Sequence, residues 1–158
     1  MNSTKLNEFA NSVRHQHILL AEDDKDDQFL FNYVLETLKI PFTLTIVTDG
    51  VELMNLLSEK SNQLPDILFL DLNMPRKNGA ECLIEIKKFE HLKQLPIVII
   101  STAREDRSTV LLYENGANYY ITKPDQLQQY KLLINKAIEL VQQTGSKQIP
   151  LKEFMVTI

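Results

Sequence analysis

The stretch Asp66-Ile67-Leu68-Phe69-Leu70-Asp71-Leu72-Asn73-Met74-Pro75 decides how the chain is read. Its apolar run is short, unbroken and ends in a carboxylate, so it offers no polar face along its length. That pattern suits a strand covered on both sides, as in the middle of a parallel sheet. Two further runs have the same character, His17-Ile-Leu-Leu-Ala21 and Ile97-Val-Ile-Ile100. Thr43-Leu-Thr-Ile-Val47 alternates and reads as nearer an edge, and Tyr119-Tyr-Ile121 completes a set of five.

Between the runs the apolar residues recur at helical spacing. The spacing predicts helices over residues 26–38 (Leu30, Tyr33, Val34, Leu38), 51–57 (Leu53, Leu56, Leu57), 80–89 (Leu83, Ile86, Phe89) and 107–115 (Val110, Leu111). A fifth covers residues 127–141 through Tyr130, Leu133, Ile134, Ala137, Ile138 and Val141. Asp49-Gly50 marks a turn, Asp125 is placed to cap the last helix, and Asn115-Gly116 stops the fourth. Strand and helix alternate five times, which implies right-handed crossovers onto one sheet with helices on both faces. The expected fold class is α/β, a flavodoxin-like (βα)5 doubly wound parallel sheet with strand order 2-1-3-4-5. Ligands of such sheets bind beyond the C-terminal strand ends, where the strand order reverses.

Composition narrows the function. The chain has 158 residues, enough for one ordinary domain, with 44% hydrophobic and 24% charged residues, as in globular proteins. A formal net charge of -4 argues against a broad nucleic-acid-binding surface. Cys82 is the one cysteine, which leaves no disulfide framework and no cysteine-based zinc site. No leader-type apolar segment or membrane-spanning run is present, so the cytoplasm is the expected compartment. Residues 1–16 read as an N-terminal arm, 17–142 as the domain and 143–158 as a tail, with no separate output domain expected. The tail contains Ile149-Pro-Leu-Lys-Glu-Phe-Met-Val-Thr-Ile158, too apolar to be left in water, and is expected to pack on the domain or on a second copy.

The strand ends carry the chemistry. Glu22-Asp23-Asp24 follows the first, Asp71-Leu-Asn73-Met-Pro75 and Gly79 the third, Ser101-Thr102-Ala103 the fourth, and Thr122-Lys123-Pro124 the fifth. Each alone has an ordinary explanation: acids favour a helix N-terminus, threonine caps helices, and X-Pro makes turns. Together they place several carboxylates, a hydroxyl and an ammonium at one crevice. Carboxylates so gathered need a cation or raised pKa values, and an all-oxygen set suits a hard ion such as Mg2+.

This constellation resembles the receiver domain of two-component response regulators, over residues 17–141, and in particular single-domain regulators associated with phytochrome-type and hybrid histidine kinases. The resemblance implies that Asp71 is the phosphoacceptor. It implies Mg2+ held by Asp23, Asp71 and the backbone carbonyl of Asn73, with Glu22 acting through water. It makes Lys123 the partner of the phosphoryl group, Thr102 the hydroxyl that moves toward it, Ala103 the small residue leaving room, and Tyr120 the aromatic that turns inward. Pro75 and Gly79 shape the loop after the third strand, and the bond before Pro124 would be cis. Asp24 is expected to face water, with Asp26 and Asp27 opening the first helix. The implied partners are a sensor histidine kinase or phosphotransfer protein, a downstream protein target reached through the fourth helix, fifth strand and fifth helix, and a homodimer through the same face or the tail. Neither nucleic acid nor membrane is expected as a partner. The implied protein catalyses only its own phosphorylation and dephosphorylation.

Alternatives remain. Ser101 could present its hydroxyl in place of Thr102, although Ala103 favours Thr102. Tyr120 has a plainer reading as a half-buried strand aromatic with a wet hydroxyl. Asn73 and Arg104 occupy positions that influence phosphoryl lifetime in the family. A haloacid-dehalogenase-type phosphohydrolase would want a general acid where Asn73 stands. A flavodoxin-like electron carrier would need a phosphate-binding loop where Glu22-Asp23-Asp24 stands. A receiver-fold adaptor that signals without phosphorylation is the main competing reading. Cys82 reads as packing in preference to a redox switch.

Overall fold

The computed structural model describes residues 14–59, 63–103 and 106–158, so most of the N-terminal arm and Arg104 lie outside the described residues. Five parallel strands, β1 (Gln16–Ala21), β2 (Phe42–Val47), β3 (Ile67–Asp71), β4 (Ile97–Ser101) and β5 (Tyr119–Thr122), form one sheet in the order β2-β1-β3-β4-β5. The flavodoxin-like order expected from the sequence is the one observed. Helices α1 (Lys25–Thr37), α2 (Gly50–Ser58), α3 (Gly79–Ile86), α4 (Arg107–Glu114) and α5 (Leu127–Thr144) connect or follow the strands.

Strand burial follows the sequence character. Every residue of β3 and β4 is buried, whereas β2 is mostly half-exposed at its edge. The register pairs Ala21 with Leu70 and Asp71 with Ile100, so β1 and β3 end side by side. β3 starts at Ile67, the first apolar residue of its run. Asp66 is instead held below the strand, its carboxylate accepting from the His17 backbone N–H at 2.8 Å. Asp71, paired with Ile100, is the last strand residue, not the first of the loop.

Four helices begin on side-chain caps. Asp24 accepts from the Asp27 N–H (2.9 Å), Asp49 from Glu52 (2.8 Å) and Asp106 from Ser108 (2.8 Å), while Asn78 and Glu81 cap each other reciprocally. The fifth does not follow expectation: the N-cap is Gln126, with no side-chain bond, and Asp125 caps nothing. α4 stops at Asn115-Gly116, where Gly116 takes φ +101°, a conformation glycine enters without penalty.

The core fills both faces of the sheet. Phe31 of α1 meets Phe69 of β3 edge-to-face at 4.9 Å between ring centroids, and both are fully buried. Between α2 and α3, Cys82 is buried with its Sγ 3.6 Å from the Gly50 carbonyl. Burial pushes the thiol up to about 11, so it stays protonated and packs as a small apolar group. Residues 149–158 turn back onto the domain: Ile149, Phe154 and Val156 are buried, and Met155 forms a parallel bridge with Tyr120 at the otherwise open edge of β5. Among the described residues no helix is long and apolar enough to cross a membrane.

Phe69→Ala removes the ring that joins α1 to the middle of the sheet. Urea unfolding is expected to show a loss of about 3–5 kcal/mol. A loss below about 1 kcal/mol would mean that the site collapses around the missing ring.

Candidate functional site

The strand ends form the floor of the site. Glu22 and Asp23 follow β1 directly, and the Glu22 N–H still donates to the Val47 carbonyl of β2 at 3.0 Å, so Glu22 is fixed by sheet geometry. Gln28, one turn into α1, donates its side-chain amide to the Glu22 carbonyl at 2.6 Å. Glu22 and Asp71 are buried at 2% and 7% exposure, while Asp23 is exposed. One carboxylate oxygen from each of Glu22, Asp23 and Asp71 lies within 4.8 Å of the others.

The loop after β3 folds tightly beneath Asp71. The Asn73 N–H donates to Asp71 Oδ1 (3.3 Å), and the Gly79 N–H returns to the Leu72 carbonyl (3.0 Å). A Cβ at Gly79 would stand 2.3 Å from the Asp71 carbonyl oxygen, so only glycine lets α3 start this close to the site. Pro75 is exposed, and the chain reverses at Arg76, whose φ of 66° is unusual for a side chain of its size. Arg76 is held there by its ion pair with Asp49 at 3.0 Å.

From the other side, Lys123 extends its ammonium inward from the end of β5. It donates to Glu22 Oε1 at 2.8 Å and to Asp27 Oδ2 at 3.1 Å. Among the described residues there are no cis peptide bonds, so the Lys123–Pro124 bond is trans, correcting the cis isomer that the resemblance implied. The trans form is intrinsically preferred by about 0.5–1 kcal/mol, and Lys123 reaches its carboxylates from it.

Thr102 and Ala103 lie exposed on the loop after β4, while Ser101 is 1% exposed and its Oγ accepts from the Ala103 N–H at 3.1 Å. Between the two hydroxyls, Thr102 is therefore the one presented. Tyr120 is 1% exposed and donates its hydroxyl to the Ala103 carbonyl at 2.8 Å. It is neither half-buried nor wet: the ring already lies inward.

Electrostatics mark the cluster. Burial comes first among the causes that push Glu22 up to about 9, followed by the Asp71 carboxyl beside it, against the opposing pull of Lys123. Burial alone would lower Lys123, but Glu22, Asp71 and Asp27 outweigh it and hold the ammonium above its ordinary value. Burial likewise raises Asp27, yet the neighbouring Glu22 and the hydrogen bond from Lys123 carry it below the usual carboxylate range. The Oε2 atom of Glu22 is buried with no hydrogen-bond partner. An orphaned carboxylate oxygen beside two more carboxylates fits a hard divalent cation, for which oxygen donors are the preferred set.

Asp27 is the site residue that the sequence assigned to the helix alone. Its signal was the spacing Asp24-x-x-Asp27: the N-cap bond turns residue 27 back over the crevice. Gln28 and Tyr130, which lies buried behind Glu22, Asp27 and Asp71, had no comparable signal.

The sequence matches the response regulator receiver domain over residues 18–135. The chain belongs to that family and is a receiver of the two-component response regulators. It is 38% identical over 114 residues to the response regulator Rcp1 of Synechocystis sp., a match covering 70% of this chain and 78% of Rcp1. The phosphorylated cyanobacterial phytochrome response regulator RcpA superposes with a TM-score of 0.73 at 37% identity, over 83% of this chain and 96% of RcpA. The Mn(2+)-bound form of Rcp1 superposes with a TM-score of 0.70 at 32% identity, over 86% and 98%.

A carboxyl raised from 4.5 to about 9 binds a proton in the folded state that the unfolded chain releases. Its contribution to stability is complete below the unfolded value and is lost as pH climbs toward the folded one. Thermal unfolding without divalent cations is therefore expected to lose stability from about pH 5 to pH 9, and Glu22→Gln to lose that component. Excess divalent cation reverses the loss, because ionised carboxylates bind it. Identical pH profiles for both proteins would contradict the assignment.

Proposed function

We propose that the chain is the phosphoacceptor of a two-component system, with Asp71 taking a phosphoryl group from a phosphohistidine of a sensor histidine kinase or phosphotransfer protein. The observation that carries this reading is the approach of Glu22, Asp23 and Asp71 within 4.8 Å at the sheet edge, with the Lys123 ammonium beside them. An Asp71 carboxylate oxygen attacks phosphorus, and an acyl phosphate forms. The bond from phosphorus to the imidazole nitrogen breaks, its electron pair staying with the donor histidine.

Each neighbouring residue then has a task. Mg2+, held by Asp23, Asp71 and the Asn73 carbonyl with Glu22 through water, would neutralise charge on the incoming phosphoryl oxygens. Lys123 exchanges its present carboxylate partners for a phosphoryl oxygen, as a compact point charge on a flexible stem can do. The Thr102 hydroxyl, exposed on its loop, turns toward the new group, and Ala103 leaves it room. Tyr120 fills the space behind Thr102, and the α4-β5-α5 surface carries the change to a downstream protein. The acyl phosphate acts as a covalently held ligand, so its differential contacts set the size of the population shift.

RcpA is a phytochrome response regulator by description, and similarity to it supports a phytochrome-type or hybrid kinase as the input class here. Residues 17–142 form the receiver unit in this reading, with the cytoplasm as its compartment. The competing adaptor reading needs no chemistry at Asp71.

Treatment with acetyl phosphate and Mg2+ distinguishes the two. Intact mass spectrometry is expected to show a gain of one phosphoryl group, absent in Asp71→Asn and reduced at least about tenfold in initial rate in Lys123→Ala. An unchanged mass in the unsubstituted protein would contradict the proposal and leave the adaptor reading.

A further inference from the structure

The tail is built onto Tyr120 of β5. Both backbone polar groups of Tyr120 that point away from β4 are taken by the tail: its N–H donates to the Phe154 carbonyl and its carbonyl accepts from the Val156 N–H, each at 2.9 Å. Phe154 is fully buried, its ring centroid 6.1 Å from that of Tyr120 and 5.3 Å from that of Tyr113, the latter pair edge-to-face. Tyr113 of α4 donates its hydroxyl to the Ile149 carbonyl at 2.6 Å, and Gln148 returns a bond to the Tyr113 carbonyl at 3.1 Å. Lys136 of α5 donates to the Thr157 carbonyl at the far end. The segment thus crosses from α4 over β5 to α5 and closes an edge strand that would otherwise be open.

At its other end Tyr120 donates to the Ala103 carbonyl, and the Ala103 N–H is bound to Ser101 Oγ. A continuous set of contacts therefore joins Phe154, Tyr120 and the loop that presents Thr102. We propose that residues 149–158 are an intramolecular strap, and that Phe154 is a positioning residue that holds Tyr120 inward before any phosphoryl group arrives. The part of this inference that concerns anion binding rests on the reading of Asp71 as phosphoacceptor.

The physical consequence is preorganisation. An aromatic free to leave its pocket must be ordered when the phosphoryl group binds, which weakens binding by the fraction of time it spends outside. A strap that keeps the ring in place removes that loss, and strap docking and an anion at Asp71 then favour each other reciprocally. Release of the strap, by a partner that takes the tail or the β5 edge, lowers the affinity of the site without touching any residue of it.

Two readouts test the strap in the full chain, in Phe154→Ala, in the milder Tyr113→Phe and in a chain ending at Ser146. The first needs no phosphoryl chemistry: nitration of individual tyrosines by tetranitromethane, read by peptide mass spectrometry. Tyr120 is expected to react at least about tenfold faster in Phe154→Ala and in the shortened chain, and less so in Tyr113→Phe. Tyr119 and Tyr130, buried but outside the strap's ring contacts, are expected to stay protected, which separates release of the strap from general unfolding. The second readout is the affinity for beryllofluoride with Mg2+, expected to fall about tenfold in Phe154→Ala. Equal protection of Tyr120 in all variants, or acceleration of all three tyrosines together, would overturn the strap. A freed Tyr120 with unchanged beryllofluoride affinity would overturn its positioning role. No beryllofluoride uptake even by the unsubstituted chain would refute the phosphoacceptor reading, and nitration would still decide the strap.

Discussion

The carboxyl groups of Glu22, Asp23 and Asp71 approach within 4.8 Å of one another at the C-terminal edge of the sheet, and much of the surrounding structure answers that repulsion. Two like charges about 4 Å apart repel by about 4 kcal/mol at the effective dielectric of a protein surface. Burial of Glu22 is the larger cause that holds its proton so far above the ordinary range, and the nearby Asp71 carboxylate adds to it. The Lys123 ammonium offsets part of the charge by binding Glu22 and Asp27 together. Carboxylates gathered in this way are the donor set that a hard divalent cation prefers.

The scaffold keeps the repelling groups together by fixing their backbones. β1 and β3 are neighbours in register, so their ends place Glu22 and Asp71 side by side whatever the side chains prefer. Gly79 lets α3 begin against the Asp71 carbonyl, and the Arg76–Asp49 ion pair holds the turn between them. The strain at the functional edge is balanced by a core in which β3 and β4 are buried along their whole length.

Strand order and the carboxylate cluster were legible in the sequence because both depend on local, repetitive signals: unbroken apolar runs, and acids immediately after them. α5 was equally clear, since Tyr130, Leu133, Ile134, Ala137, Ile138 and Val141 are all buried as its periodicity predicts. Short helices were less clear. In α4 the buried residues are Thr109 and Leu112, and Leu111 stands 57% exposed, because eight residues hold too few repeats to fix the phase. In α1 the core takes Phe31, Val34 and Leu35 and leaves Tyr33 in solvent, since the helix carries apolar residues on more than one face. Asp27 entered the site through a capping bond, and Phe154 through a return of the tail across the sheet. The first rests on a local spacing that reads equally well as a plain helix cap, and the second joins residues 34 apart, which no neighbour in the sequence encodes.

Crystals of the protein soaked with Mn2+ and beryllofluoride test the central claim, that the acidic cluster is a cation site serving an anion on Asp71. Anomalous scattering should place one Mn2+ among Asp23, Asp71 and the Asn73 carbonyl, with beryllium on Asp71 and Lys123 shifted from Glu22 and Asp27 onto a fluorine. Manganese bound elsewhere, or a Lys123 still paired with both carboxylates beside a bare Asp71, would contradict the account.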